Sequence, residues 1–315
     1  MKNLLDRTII GLAIATVVLI AAALVMPDWV RLVILQSLAR GSVALGLLIL
    51  WRSGLVSFGH ALFFATGGYA AVLMQRTMVN DALMMALAGL LAGGLLAFCL
   101  GFLLRRYRGI FFALLNMAFS MVLWGLLAKN EALGSTDGLG VATPKFFGIE
   151  LESNAANLTL YICMLIVCLV FASCVHLYLR STLGTMSTAV RENEIRLEYL
   201  GYSGERAVHV KYVISGLLGG FGGAVMAMSI GQVDPDSMAY WTISGEFVFI
   251  ALLGGTGSVA ATFIGAIVFE GIRSMAFQFA PKVWQLIMGG TLLAIIMFLP
   301  AGLWSLVERK RKSEA

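Results

Sequence analysis

Residues able to do chemistry are scarce in this 315-residue chain, and they do not gather. None of its three histidines, His60, His176 and His209, stands in a ligand constellation. The four cysteines, Cys99, Cys163, Cys168 and Cys174, all fall in apolar runs without a CxxC pair, which reads them as small buried hydrophobes instead of metal or redox groups. No GxxxxGK(S/T) phosphate loop, HExxH or GxSxG is present. Catalysis, a metal site and a cofactor bound by this chain are therefore not expected, and any driven work needs an energy source in another subunit.

The informative polar residues lie inside apolar stretches: Arg40, His60, Asn116, Glu246 and Glu270. A charge or amide in hydrocarbon is costly, so each asks for a partner or a wet cavity. Ser57, His60 and Asn116 are expected either to line a polar route or to bond between helices. Glu246 and Glu270 flank a glycine-broken segment near the expected outer face, within reach of water, and Arg40 can pair with either.

The elements that must hold these residues follow from composition. With 60% hydrophobic and 12% charged residues and a mean hydropathy of +0.91, too little polar surface exists to clothe a water-soluble globule. The apolar runs reach the roughly 20 residues that cross a hydrocarbon core, without the alternation of an outer-membrane barrel. The expected fold is all-α: a single polytopic transmembrane domain over residues 1–315, with about eight full spans plus a glycine-broken pair of short helices. Membrane lipid is its expected surroundings, and no nucleic acid is expected despite a net charge of +5, which a cytoplasmic Lys and Arg bias explains.

In chain order, residues 9–26 read as a retained first span instead of a cleaved signal peptide, although Ala21-Ala22-Ala23 resembles a cleavage site. Spans follow at 32–50, 54–75, 82–104 and 109–128, the third interrupted by glycines that include Gly67 and Gly68. Residues 129–157 contain Gly134, Gly138, Gly140 and Pro144 and form an outside loop. Spans at 158–179 and 212–231 bracket a charged interval at 180–211. Residues 243–275 break at Gly254-Gly255-Thr256-Gly257-Ser258, which predicts two short helices meeting at a turn before a last span at 283–299. A glycine break at membrane depth persists only beside protein or water, so Gly254, Gly255 and Gly257 are candidate walls of a translocation path. Glycines four apart, as at 89/93, 216/220 and 219/223, predict close helix packing.

Placing the N-terminus inside puts most of the 22 cations in inside loops and in the basic tail at 301–315, while Arg31, Arg76, Lys129, Lys145, Arg273 and Lys282 fall outside. Both termini are then cytoplasmic. Within 180–211, Ser187 or Thr188 can cap a short helix that stops at Gly201, with Val190, Glu194, Leu197 and Gly201 along one stripe. Such a helix suits a groove in a partner or the membrane surface.

The run GTMSTAVRENEIRLEYLGYSGERAVHVKYVISGLLGGFGGAV resembles the coupling loop and following helix of ABC importer permeases of the branched-chain amino acid type. SGLVSFGHALFFATGGYAA, RGIFFALLNMAFS, GSTDGLG and SGEFVFIALLGGTGS resemble the same family in the same order, over most of residues 40–300. The chain departs from the pattern at Gly67-Gly68-Tyr69, where Gly-Ala-Tyr is more frequent.

The resemblance implies a type II-like permease of the bacterial inner membrane that imports branched-chain or related amino acids by alternating access. It implies a second homologous permease, two cytoplasmic ATPase subunits that use ATP and Mg, and a periplasmic or lipid-anchored binding protein. Carried onto this chain, ATPase coupling falls on Arg191, Glu192, Asn193, Glu194, Leu197, Leu200 and Gly201, and binding-protein docking on Thr136, Asp137 and Gly138. Urea, short amides and organic acids are the rival substrates. A self-sufficient channel or ion-coupled carrier is the alternative from another class.

Overall fold

Apolar runs at helical length give a bundle, and its elements can be followed in the computed structural model, which describes residues 6–77, 80–199, 201–299 and 302–306. The helices are α1 (Arg7–Ala23), α2 (Asp28–Trp51), α3 (His60–Arg76), α4 (Ala82–Leu104), α5 (Gly109–Lys129), α6 (Ser153–Arg180), α7 (Thr182–Tyr199), α8 (Gly204–Ile230), α9 (Pro235–Met238), α10 (Trp241–Gly254), α11 (Val259–Phe279) and α12 (Trp284–Phe298). Two short strands, β1 (Leu139–Gly140) and β2 (Gln232–Val233), pair antiparallel between the loops after α5 and α8.

Among the described residues, seven helical stretches are long and apolar enough to cross a membrane: α2, α4, α5, α6, α8, the stretch Pro235–Gly254 and α11. The apolar helices at Thr8–Ala23 and Trp284–Phe298 are shorter. Two expectations change here. Helix α3 begins only at His60, because residues 54–59 run as turn and coil after Gly54 at φ +74°. The glycine-broken pair is unequal: α10 has 14 residues and α11 has 21, so the second member is about 31 Å long, a full crossing length.

Glycine sets the centre. Helix α8 packs on α2, α3 and α4, and its small residues let backbones touch. A Cβ on Gly220 would stand 2.2 Å from the carbonyl of Gly89, and one on Gly67 would stand 1.9 Å from the carbonyl of Gly220. This is the small-residue packing that substitutes for a hydrophobic driving force in lipid. Around that seam Leu45, Leu48, Phe64, Ala224 and Phe247 are fully buried, while Leu95, Phe111, Val122 and Val170 turn outward. Of the cysteines only Cys168 is buried; Cys99 and Cys174 are exposed on α4 and α6. The expected burial of all four fails because α4 and α6 each pack one face on the bundle and turn the other out.

The bundle has two ends. One carries Arg52, Arg105, Arg108, the whole of α7 and the turn between α10 and α11. The other carries β1 and β2, the loop after α5 and the start of α10. The glycine turn does not lie beside the middle of α2, since Arg52, just past the end of α2, donates from Nη2 to the carbonyls of Thr256 and Gly257 at 3.2 Å each. An arginine at the bundle's end thus satisfies backbone that a mid-membrane break would leave without helical partners.

Candidate functional site

At the cation-rich end, the charged interval folds as expected into a helix, with different bounds. Helix α7 starts at Thr182, where Ser181 Oγ accepts from the Gly184 amide at 3.3 Å. Asn193 interrupts it at φ −163°, ψ 98°, and its side chain restarts the helix by accepting from the Arg196 amide at 3.0 Å. An Asx cap inside the run outcompetes the continuous helix that periodicity predicts. Gly201 ends the segment at φ +83°. Leu200 lies outside the described residues. Lys211, assigned to the loop, is instead two turns into α8 and fully buried, because α8 extends back to Gly204.

One side of α7 is fastened to the bundle. Val190 and Leu197 are 7% and 4% exposed and pack with Leu50, Leu62, Phe112 and Val208. Glu194 accepts from Arg108 Nε at 3.0 Å and Nη2 at 2.5 Å, a two-point contact to the start of α5. The Arg191 stem lies along Gly54, where a Cβ would come within 3.2 Å of Cγ. The opposite side stays outward: Glu192 and Arg196 are exposed, and so are Ile195 (66%), Tyr199 (87%) and Tyr202 (48%). Sequence reasoning missed those three. Ile195 and Tyr199, four residues apart, share one face of the helix, and Tyr202 follows just past the turn at Gly201; the face is legible once the Val190 and Leu197 side is known to meet the bundle.

Above α7 runs a buried polar column. Lys211 Nζ donates to Ser53 Oγ at 2.8 Å. His60 sits between Ser57 Oγ at 3.0 Å from Nδ1 and Ser215 Oγ at 2.6 Å from Nε2. Tyr212 donates to Asn116 Oδ1 at 2.6 Å, and Asn116 Nδ2 returns to the Phe112 carbonyl at 2.8 Å. Edge-on ring contacts join the levels, His60 to Phe63 and Phe63 to Tyr212, at centroid distances of 5.7 and 5.3 Å. Ser57, His60 and Asn116 are thus brought together, along with Ser215 and Tyr212, which carried no signal in the sequence. Gly67 lies against the α8 backbone, Gly68 beneath Met238 at 2.8 Å, and Gly254 against the Ala261 carbonyl at 2.1 Å, each distance taken from the position a Cβ would occupy. Gly255 and Gly257 form the turn that Arg52 holds.

At the other end, Thr136 and Asp137 are exposed on a tight turn. Gly138 takes φ +75°, and a Cβ there would strike the Val233 carbonyl at 2.0 Å. Gln232 Nε2 donates to the Asp137 carbonyl at 3.1 Å, so the turn is tied to the β2 segment.

Deeper from this end, Arg40 pairs with both Glu246 and Glu270, and Arg273 stands 3.6 Å from each of the same carboxylates. The expectation that both glutamates reach water near the outer face is corrected: their side chains are 14% and 4% exposed. A buried guanidinium holds them, because two carboxylates in hydrocarbon need compensation more than either needs solvent.

Seven helical stretches long and apolar enough to cross a membrane, with a further helix fastened across one end of the bundle, make this a polytopic helical membrane protein. The chain belongs to the family described as branched-chain amino acid transport system / permease component, whose model matches residues 30–296. It is similar to the high-affinity branched-chain amino acid transport system permease protein LivM of Escherichia coli (strain K12), at 28% identity over 294 residues, covering 86% of this chain and 68% of the relative. The LivM of Salmonella typhimurium (strain LT2) is 27% identical with the same coverage. No solved structure matches the chain significantly.

Proposed function

We propose that this chain is the membrane-spanning subunit of an ATP-driven importer, taking up branched-chain or related amino acids. It works with a second homologous permease, two cytoplasmic ATPases and an external binding protein. The observation that carries this is the two-sided character of α7. Val190, Leu197 and the Glu194–Arg108 pair fasten one side to α2, α3, α5 and α8, and Ile195 and Tyr199, continued by Tyr202 just past the helix end, present an apolar surface ringed by charges. A helix rigidly tied to membrane segments, with an unoccupied stripe, transmits a push from a docked partner instead of absorbing it.

The cation-rich end faces the cytoplasm, since it bears Arg52, Arg105, Arg106, Arg108, Arg180, Arg191, Arg196 and Arg206. The inner membrane of a bacterium is its location. The column is closed here, with Ser57, His60 and Asn116 each hydrogen-bonded inside the protein, and alternating access opens it when α7 moves. The turn at Thr136, Asp137 and Gly138 faces the binding protein.

Ile195→Asp with Tyr199→Asp tests this. The variant should still insert in the membrane, yet lose copurification of the ATPases and ATP-dependent uptake. Association and uptake at the wild-type level would overturn the reading.

A further inference from the structure

Between α2, the end of α8, α9 and α11 lies a cavity of about 670 Å³ that the buried polar column does not include. Arg40, Glu270 and Arg273 form one wall, and Phe64, Met226 and Met238 provide an apolar surface opposite. Gln36, Gln232, Ser274 and Gln278 bring polar groups to it, beside the exposed Ile230 and Phe277. Resting on the importer reading above, we propose that this cavity is a recognition site for a zwitterionic α-amino acid inside the membrane domain.

The charge arrangement selects the class. Two arginines and two glutamates are neutral together, so a lone organic anion or cation would add an uncompensated charge in a low-dielectric setting. A zwitterion adds none. Arg273 is the group left to bind its carboxylate: at 3.6 Å from both glutamates it is beyond hydrogen-bond length, and its side chain keeps 29% exposure. The Trp284 ring, 5.7 Å from its guanidinium carbon, supports it from outside. Glu270, on the same wall, is placed to accept from the ammonium. The aliphatic side chain then meets Phe64, Met226 and Met238, whose thioethers adapt to branched shapes.

A clamp that served only to bind α2, α10 and α11 together would be sealed; this one borders an open cavity. The mouth also adjoins the docking turn, because Gln232 both edges the cavity and donates to the Asp137 carbonyl at 3.1 Å. A ligand released by a protein seated on Thr136 and Asp137 is delivered beside the rim.

Ser274→Cys, in the complete transporter reconstituted in vesicles, provides the test. A membrane-impermeant, charged thiol reagent should label Cys at this position above the wild-type background. L-leucine at twice its dissociation constant should slow labelling about threefold. Isoamylamine and isocaproate, which each lack one charge of the zwitterion, should protect far less. Adding Arg273→Gln should abolish leucine protection while labelling itself persists, which shows that the cavity survives the substitution. Absence of labelling, or labelling that leucine does not slow in a transporter that still takes up leucine with ATP, overturns the site and leaves the importer reading standing. Protection by leucine without ATP-driven uptake supports the site and overturns the importer reading.

Discussion

Glu194 and Arg108, 86 residues apart, meet in a two-point ion pair at 3.0 and 2.5 Å that ties α7 to the residue from which α5 starts. Their side chains are 27% and 31% exposed, so screening keeps the stability contribution to about 1 kcal/mol. Its importance is mechanical. Glu194→Arg or Arg108→Glu alone should lower uptake per ATP hydrolysed several-fold while ATPase association persists, and the double exchange should restore much of it. Coupling ratios in proteoliposomes check this; equal ratios in all three variants would show that the pair transmits nothing.

The glycine seam predicts a sharp contrast between positions. Gly220→Ala forces a methyl to within 2.2 Å of the Gly89 carbonyl, an overpacking cost of about 1–3 kcal/mol. Gly125→Ala, where a Cβ meets nothing within 4 Å, gains helix propensity of up to about 1 kcal/mol. Thermal unfolding of purified protein in detergent should fall by several degrees for the first and hold or rise for the second.

Tyr212→Phe removes the donor to Asn116 Oδ1, and both residues are fully buried. The stranded carbonyl should cost about 1 kcal/mol. Asn116→Leu combined with Tyr212→Phe should cost less than the two separate losses together, because the orphaned group is gone. A denaturation series on the four proteins measures the coupling.

Lys211 is fully buried, and among the described residues its hydrogen bond goes to Ser53 Oγ, with no carboxylate paired to it. Desolvating an ammonium for one neutral hydrogen bond is unfavourable. Lys211→Met should therefore raise stability, by about 1 kcal/mol, while uptake falls if the charge serves the moving end of the bundle. Melting temperature and uptake, measured on the same preparation, should move in opposite directions.

Gly138→Ala meets both a positive φ of +75° and the Val233 carbonyl at 2.0 Å. The docking turn should distort while the distant α7 end stays intact. The expected result is loss of ATPase stimulation by the loaded binding protein, with basal ATPase activity of the assembled complex retained.

Local physics made much of this molecule legible in advance. Hydrocarbon demands apolar runs of about 20 residues, so the helices at 82–104 and 109–129 are written in composition alone. Glycine spacing announced the seam of α4 and α8 for the same reason: a missing side chain is visible without knowing its neighbour. Helix starts were less readable. The stretch before His60 and the interruption at Asn193 depend on which side chain wins the local hydrogen bond, and periodicity does not register that competition.

The sequence by itself determined a helical membrane body, a cation-rich end and a charged segment suited to a partner, since these follow from what each residue tolerates in lipid or water. Only the tertiary structure decided that Arg40 gathers Glu246 and Glu270, that His60 meets Ser215, and that Ile195 and Tyr199 face outward. Those relations join positions up to 230 residues apart, from Arg40 to Glu270, and they depend on which faces of helices meet. One chain's composition and spacing carry the cost of each buried group but not the address of the partner that offsets it.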